Sequence, residues 1–219
     1  MSVGVSDGIV RVRPSDSETI RDIARLHQGE IIGGIADLPL PALEAVYRSL
    51  ASDNGSILLA EFREARFAGF VFGSLDDRRA LRGAVSANII RLLGAVGLLA
   101  LKPWVVYRLL RTALSMRNLT GLARPDEAHL VSIAVSPNSR RVGTASRLLA
   151  ALEQWFRGEG VSEYLVMTNL DNVVAANFYK KSGGDECGVV KHFPRHQILF
   201  RKQLSGRTAD GAPNQKATV

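Results

Sequence analysis

Arg140-Arg-Val-Gly143-Thr-Ala145 sets glycine and alanine at alternate positions directly behind two arginines. On its N-terminal side runs an apolar, β-branched segment ending at Val135, which reads as a buried strand, followed by the turn residues Ser136-Pro137-Asn138-Ser139. On its C-terminal side Leu148, Leu149, Leu152, Trp155 and Phe156 recur at helical spacing, which predicts a helix opening near Thr144 and stopping near Gly158. A turn of small residues at the positive end of a helix leaves backbone N–H groups open to an anion, and a diphosphate suits that place. The side chains of Arg140 and Arg141 stand beside it. Two other phosphate loops are excluded: no Lys follows Gly143 as Walker A requires, and the Gly-x-Gly-x-x-Gly fingerprint is absent. The plain alternative is an ordinary strand–turn–helix with an arginine at the turn.

The segment downstream bears on that choice. After a strand over Tyr164–Thr168 comes Asn172-Val-Val-Ala175-Ala-Asn-Phe178-Tyr179-Lys-Lys181-Ser-Gly183. The pair of segments resembles the GNAT superfamily of acyl-CoA-dependent N-acetyltransferases. The first matches Arg/Gln-x-x-Gly-x-Gly/Ala behind Val-x-Pro, and the second matches Asn-x-x-Ala-x-x-Phe-Tyr-x-Lys-x-Gly-Phe at every position but the last, where Gly184 stands. One helix and one strand separate the motifs, as in the family. The likeness covers about residues 9–75 and 128–204, most specifically the second part.

The resemblance implies a mixed α/β sheet of the α+β type, splayed beside the strand that ends at Val135, with flanking helices and acyl-CoA held in the cleft. It implies that the main chain of Ile133, Ala134 and Val135 bonds the pantetheine arm. Arg140, Arg141, Val142, Gly143, Thr144 and Ala145 would bind the diphosphate. Asn172 lies where the family also contacts the cofactor, and Tyr179 matches the tyrosine that commonly protonates the departing thiolate. Many members carry Glu six residues before the strand-ending Val; here that position is His129, and some relatives also use histidine. No metal is expected.

The chemistry needs a base, because an alkylamine with a pKa near 10 must lose a proton before it attacks a thioester. An imidazole at His129 suits neutral pH. Asp126, Glu127 and His27 compete for the role, and a bland alternative is a histidine making one backbone hydrogen bond at a strand start. For Tyr179 the bland alternative is packing on the sheet. His192 and His196 have no pattern around them.

Composition sets the frame. A hydrophobic content of 46% is ample for a core in 219 residues. The net charge of +7 and pI near 10.0 favour an anionic partner such as a CoA diphosphate, nucleic acid or a membrane surface. A single cysteine, Cys187, excludes an internal disulfide framework and suits a reducing compartment. No secretory signal is recognised at the start, so a cytoplasmic protein is the expectation.

Working along the chain, residues 1–8 read as disordered and Ile9–Arg13 as a strand ended by Pro14. Ser15 or Asp16 caps a helix closing at His27, a glycine-rich loop covers 28–41, and a second helix runs from Pro41 to Ser52. Ile57–Phe62 and Phe67–Gly73 form a hairpin in which Gly69 marks a bulge or a close backbone approach. Segment 76–126 is an insertion between the third and fourth strands, in which apolar residues alternate with arginines at 78, 79, 82, 91, 108, 111 and 117. Amphipathic helices broken at Pro103 fit it. Its longest apolar run, Leu92 to Leu101, rises about 15 Å as a helix and does not span a bilayer. Such helices pack on the domain or a second subunit, giving a homodimer, or touch a membrane surface. Glu186–Val190 and Gln197–Phe200 close the sheet, so residues 1–204 read as one domain with a polar, disordered tail at 205–219.

The expectation is an N-acetyltransferase that moves acetyl from acetyl-CoA to a primary amine by direct attack in a ternary complex. The basic, apolar insertion points to a small anionic or amphiphilic acceptor, such as an amino sugar. A protein N-terminal or lysine acetyltransferase is the alternative acceptor class, and a non-catalytic acyl-CoA-binding module the alternative outside catalysis. A nucleic-acid role lacks a reading motif and is not expected.

Overall fold

The computed structural model of this chain describes residues 7–31, 34–88, 127–192 and 195–204. Seven strands form one sheet: β1 (Gly8–Arg11), β2 (Ser56–Arg63), β3 (Arg66–Ser74), β4 (Ala128–Val135), β5 (Glu163–Asn169), β6 (Asp185–His192) and β7 (Arg195–Gln203), in the order β1-β2-β3-β4-β5-β7-β6. Every neighbouring pair is antiparallel except β4 with β5. Among the described residues the helices are α1 (Ser17–Glu30), α2 (Leu40–Ala51), α3 (Asp77–Ala87), α4 (Thr144–Gly158) and α5 (Val173–Lys181). Short 3-10 turns occupy Gly34–Asp37 and Pro137–Ser139.

Alternation along β2 divides the core. Leu58, Ala60 and Phe62 point to the side of α1, α2 and α3, where Ile20, Leu43, Tyr47 and Phe70 are buried. Ile57 and Leu59 point to the other side, against Leu148, Leu152 and Phe156 of α4 and Tyr179 of α5. A period of two in the strands, set against 3.6 in the helices, produces this two-faced packing. The β2–β3 hairpin turns through Glu64 and Ala65, both at positive φ, the twist that a two-residue hairpin loop requires.

Gly69 satisfies both sequence expectations. A Cβ there would lie 2.6 Å from the Ala134 carbonyl oxygen, so glycine permits the close approach of β3 to β4, and the register shifts across it between Glu61 and Phe62.

A second irregularity positions the site. Phe72 pairs with Ser132 and Gly73 with Leu130, leaving Val131 as an extra residue in β4. Ahead of it Leu130 faces α4; beyond it Ile133 does. His129 and Ser132 therefore share the face of α1–α3.

Most boundaries fall within two residues of the sequence expectation. The exceptions are α1, which runs on to Glu30 rather than closing at His27, and β7, which runs on to Gln203 rather than Phe200. Of the insertion only residues 76–88 are described, α3 with Asp76 before it and Asn88 after; the expectations for 89–126, for residues 1–6 and for the tail at 205–219 lie outside the described residues. Among the described residues no helix is long and apolar enough to cross a membrane.

Candidate active site

The cleft begins where strand pairing stops. β4 and β5 pair at Ala128–Tyr164, His129–Leu165 and Leu130–Val166 and no further, although β4 continues to Val135 and β5 to Asn169. β3 holds the opposite edge of β4 as far as Val135. The segment over Ile133, Ala134 and Val135 thus keeps one edge free of the sheet, and its backbone groups there need partners. An extended chain bearing amides has the groups to pair with that edge.

At the end of β4 the chain passes through the 3-10 turn and into α4. Arg141 and Gly143 both adopt left-handed backbone, φ 62° and 84°. A left-handed arginine is strained, and such strain gathers at ligand sites. The turn also makes successive N–H groups converge on one side. No side chain caps α4, whose first backbone bond runs from Arg147 N to Gly143 O at 3.0 Å. The N–H groups of Thr144, Ala145 and Ser146 are left for an external acceptor, the condition for anion binding at a helix start.

The arginines divide their work in a way the sequence did not reveal. Arg140 turns away from the turn: its guanidinium pairs with Glu30 at the end of α1 and donates to the Val135 carbonyl at 3.5 Å. Arg141 and Val142 are exposed, and among the described residues Arg141 makes no ion pair. A third arginine, Arg147, folds back onto the turn. Its guanidinium donates to the Val142 carbonyl at 2.9 Å, to Thr144 Oγ1 at 3.2 Å and, through Nε, to Glu61 Oε1 at 2.9 Å. Glu61 is buried in β2, and its other oxygen has no partner among the described residues. An acidic residue inside the apolar run Ile57–Phe62 was the available signal for this pair.

Tyr179 lies on the same face as that turn, packed with Leu148, Leu149 and Phe200. Its position is fixed by the end of α5. Gly183 at φ 86° donates to Lys180 O at 3.1 Å and Gly184 to Tyr179 O at 2.9 Å, the paired bonds of a glycine-terminated helix. A Cβ at Gly184 would sit 3.1 Å from the Tyr179 carbonyl oxygen, and the Phe200 ring stacks by Tyr179 at 5.8 Å. Phe200 thus supplies an aromatic neighbour to Tyr179 where Gly184 carries no ring. Burial pushes the Tyr179 hydroxyl above its ordinary value, so it holds its proton at neutral pH. At the other end of α5, the exposed Asn172 is the N-cap, its side-chain oxygen accepting from Ala175 N at 3.1 Å.

His129 is 6% exposed, one residue before the point where β4 and β5 part. Its Nδ1 meets the Asp77 carboxylate at 3.0 Å, and its Nε2 is buried without a partner among the described residues. Burial raises the Asp77 carboxyl, but the hydrogen bond and charge of His129, with Arg78, outweigh it and leave the carboxyl below its usual value. Of the competing bases, Glu127 is paired with Arg201 at 2.9 Å. His27 is buried in the α1–α2 layer, 2.5 Å from the Tyr47 hydroxyl, and burial depresses it to about 4. Asp126 lies outside the described residues.

His129 and Tyr179 stand on opposite faces of one sheet, to either side of the strands that part after Leu130 and Val166.

The sequence profile of the Acetyltransferase (GNAT) family matches residues 20–184. The chain belongs to this family and is an acyltransferase that moves acetyl to an amine. Among curated proteins none matches the sequence. Solved structures of similar fold include an N-acetyltransferase from Staphylococcus aureus Mu50 (18% identity, 89% of this chain and 99% of that one, TM-score 0.58). The ribosomal-protein-S18-alanine N-acetyltransferase of Escherichia coli is similar over 97% of this chain and 100% of its own, at 14% identity and TM-score 0.56. The PaiA N-acetyltransferase of Thermoplasma acidophilum, in complex with coenzyme A, is similar over 91% and 99%, at 14% identity and TM-score 0.53. At these identities the likeness is one of fold.

Proposed function

We propose that this protein transfers acetyl from acetyl-CoA to the primary amine of a small anionic or amphiphilic acceptor, such as an amino sugar. The observation that carries the cofactor reading is the uncapped start of α4 behind the left-handed turn at Arg141–Gly143, in line with the unpaired edge of β4. The fit is chemical as well as geometric: converging N–H groups and two arginines suit a diphosphate, and the free strand edge suits an amide-bearing arm. Ile133 to Val135 would hold the arm, and Arg141 to Ala145 with Arg147 the diphosphate. Asn172, its oxygen spent on the cap, offers only its amide N–H groups. Acetyl-CoA supplies a thioester whose carbonyl carbon accepts the amine. On the α1–α3 face, His129 Nε2 takes the ammonium proton and frees the nitrogen lone pair. On the α4–α5 face, the Tyr179 hydroxyl, protonated at neutral pH, gives its proton to the leaving sulfur as the C–S bond breaks. The second nitrogen proton, shed as the amide forms, restores the phenol through solvent.

The acceptor class rests on charge. Arg78, Arg79 and Arg82 follow Asp77 on α3, beside the face that His129 occupies. With the further arginines of 91–117 they favour an anionic acceptor. We place the protein in the cytoplasm, with the insertion as its contact to a membrane surface or a second copy. Mass spectrometry of purified protein with acetyl-CoA and a panel of glucosamine 6-phosphate, a UDP-linked amino sugar, butylamine, lysine and an alanine-terminated peptide tests the proposal. Acetylation of the phosphorylated sugars is expected. Acetylation of the peptide alone moves the assignment to protein substrates, and CoA binding without any turnover reduces the protein to a binding module.

A further inference from the structure

One carboxylate in the neighbourhood of the cleft has no part in the chemistry above. Asp77 opens α3, yet Asp76, not Asp77, caps that helix: the Asp76 side chain accepts from Arg79 N at 2.9 Å. Relieved of capping, Asp77 turns inward, with its side chain 20% exposed, and meets His129 Nδ1 at 3.0 Å. The positive end of α3 and the neighbouring Arg78 favour its ionised form. An ionised carboxylate only accepts hydrogen bonds, so the ring must carry its proton on Nδ1 when neutral. The lone pair is then on Nε2.

That nitrogen is free to accept. It is buried, and among the described residues nothing bonds to it. Three other buried side-chain atoms, His27 Nε2, Glu61 Oε2 and Gln197 Oε1, are also without a partner among the described residues, but none of them lies on β4, and the buried carboxylates Glu127 and Glu153 are bonded. Glu153, also 6% exposed, takes Tyr164 Oη at 2.7 Å and Lys202 Nζ at 2.6 Å. A histidine serving only to bridge α3 and β4 would gain nothing from a second nitrogen left bare, and a bare buried acceptor is costly. An acceptor nitrogen fixed in direction, shielded from bulk water and one residue from the splay is what proton removal from an incoming amine needs.

We propose that Asp77 is the positioning residue of the reaction: it locks His129 in the Nδ1–H form and aims the free Nε2 at the acceptor amine. This rests on the acetyl-transfer reading, and it assigns the first residues of the insertion a part in the chemistry. No atom of Asp77 exchanges a proton; the proton from the amine goes to His129 Nε2, giving an imidazolium that the carboxylate stabilises.

The test combines a spectrum and a rate. Long-range ¹H–¹⁵N correlation of the imidazole rings on the free, full-length protein should show the Nδ1–H form for His129, assigned by its loss in His129→Ala. In Asp77→Asn, isosteric but able to donate as well as accept, that form should give way to a mixture. With the panel amine turned over fastest, kcat should fall on the order of 10²-fold. KM for acetyl-CoA and the calorimetric Kd for CoA should stay within about twofold, and Asp77→Asn should cost nothing further in a His129→Ala background. An Nε2–H form in the wild-type protein overturns the proposal whether or not an acceptor has been found. So does a kcat for Asp77→Asn within about threefold of wild type, or an equal loss in the two backgrounds. Absence of both CoA binding and turnover in the wild type defeats the acetyl-transfer reading instead.

Discussion

Arg147 and Glu61 allow a structural role and a binding role to be separated in one experiment. Glu61's side chain is 3% exposed and Arg147's 45%. Truncating Arg147→Met leaves a carboxylate buried in β2 with both oxygens short of donors. Removing one partner of a fully buried pair costs about 3–5 kcal/mol. Here the cation side is open to water, which can replace part of the lost interaction, so about 2 kcal/mol is expected. With a urea slope of about 2 kcal/mol/M, the unfolding midpoint should drop by about 1 M. The double variant Glu61→Leu/Arg147→Met removes the stranded charge and should return to within about 1 kcal/mol of wild type. Coenzyme affinity should behave differently. Loss of a charge-assisted contact to the diphosphate is worth about 1.5–3 kcal/mol, a decline of roughly 10- to 100-fold in calorimetric Kd, and the double variant should not recover it. Additive stability changes would refute the claim that Glu61 depends on Arg147. A double variant binding CoA as tightly as wild type would refute Arg147 as part of the diphosphate site.

Three other outcomes follow from the same geometry. Gly143→Ala must hold a Cβ at φ 84° and 3.0 Å from Arg147 Nη1. The strain of about 1–2 kcal/mol should weaken CoA binding about tenfold, and unchanged affinity by calorimetry counts against the turn as the site. Tyr179→Phe should lower kcat on the order of 10²-fold while leaving Tm nearly unmoved, since no hydrogen bond of its hydroxyl is lost among the described residues. A wild-type kcat removes Tyr179 from the mechanism. His27, with its pKa depressed from 6.5 to about 4, is held neutral by the fold while the unfolded chain takes up a proton below 6.5. Its contribution is complete above pH 6.5 and is lost as pH falls toward 4, a difference of about 3 kcal/mol. Urea titrations across that window should show the decline in wild type and a flatter profile in His27→Gln; parallel profiles would contradict the burial argument.

The sequence by itself determined the frame of this protein. Helical spacing from Leu148 to Phe156 behind a glycine turn placed α4 near Thr144–Gly158, where it lies, because periodicity and turn chemistry are local. The caps of α5, Asn172 and Gly183-Gly184, are equally local, although in the sequence they stood out only as positions of a motif. The turn around Gly143 was legible as a candidate anion site from the same local rules, whereas Tyr179 was singled out only by its place in a contiguous motif that resembles the family's. Only the tertiary structure decided which charges serve which site. Arg140 adjoins the turn in sequence but is drawn off by Glu30, 110 positions away, while Arg147 is drawn onto the turn by Glu61, 86 positions away. Asp77 reads in the sequence as one more acid at a helix start; folding carries it to His129. Ion pairs depend on distances that close only when helices pack on a sheet, and no period or propensity along the chain encodes them.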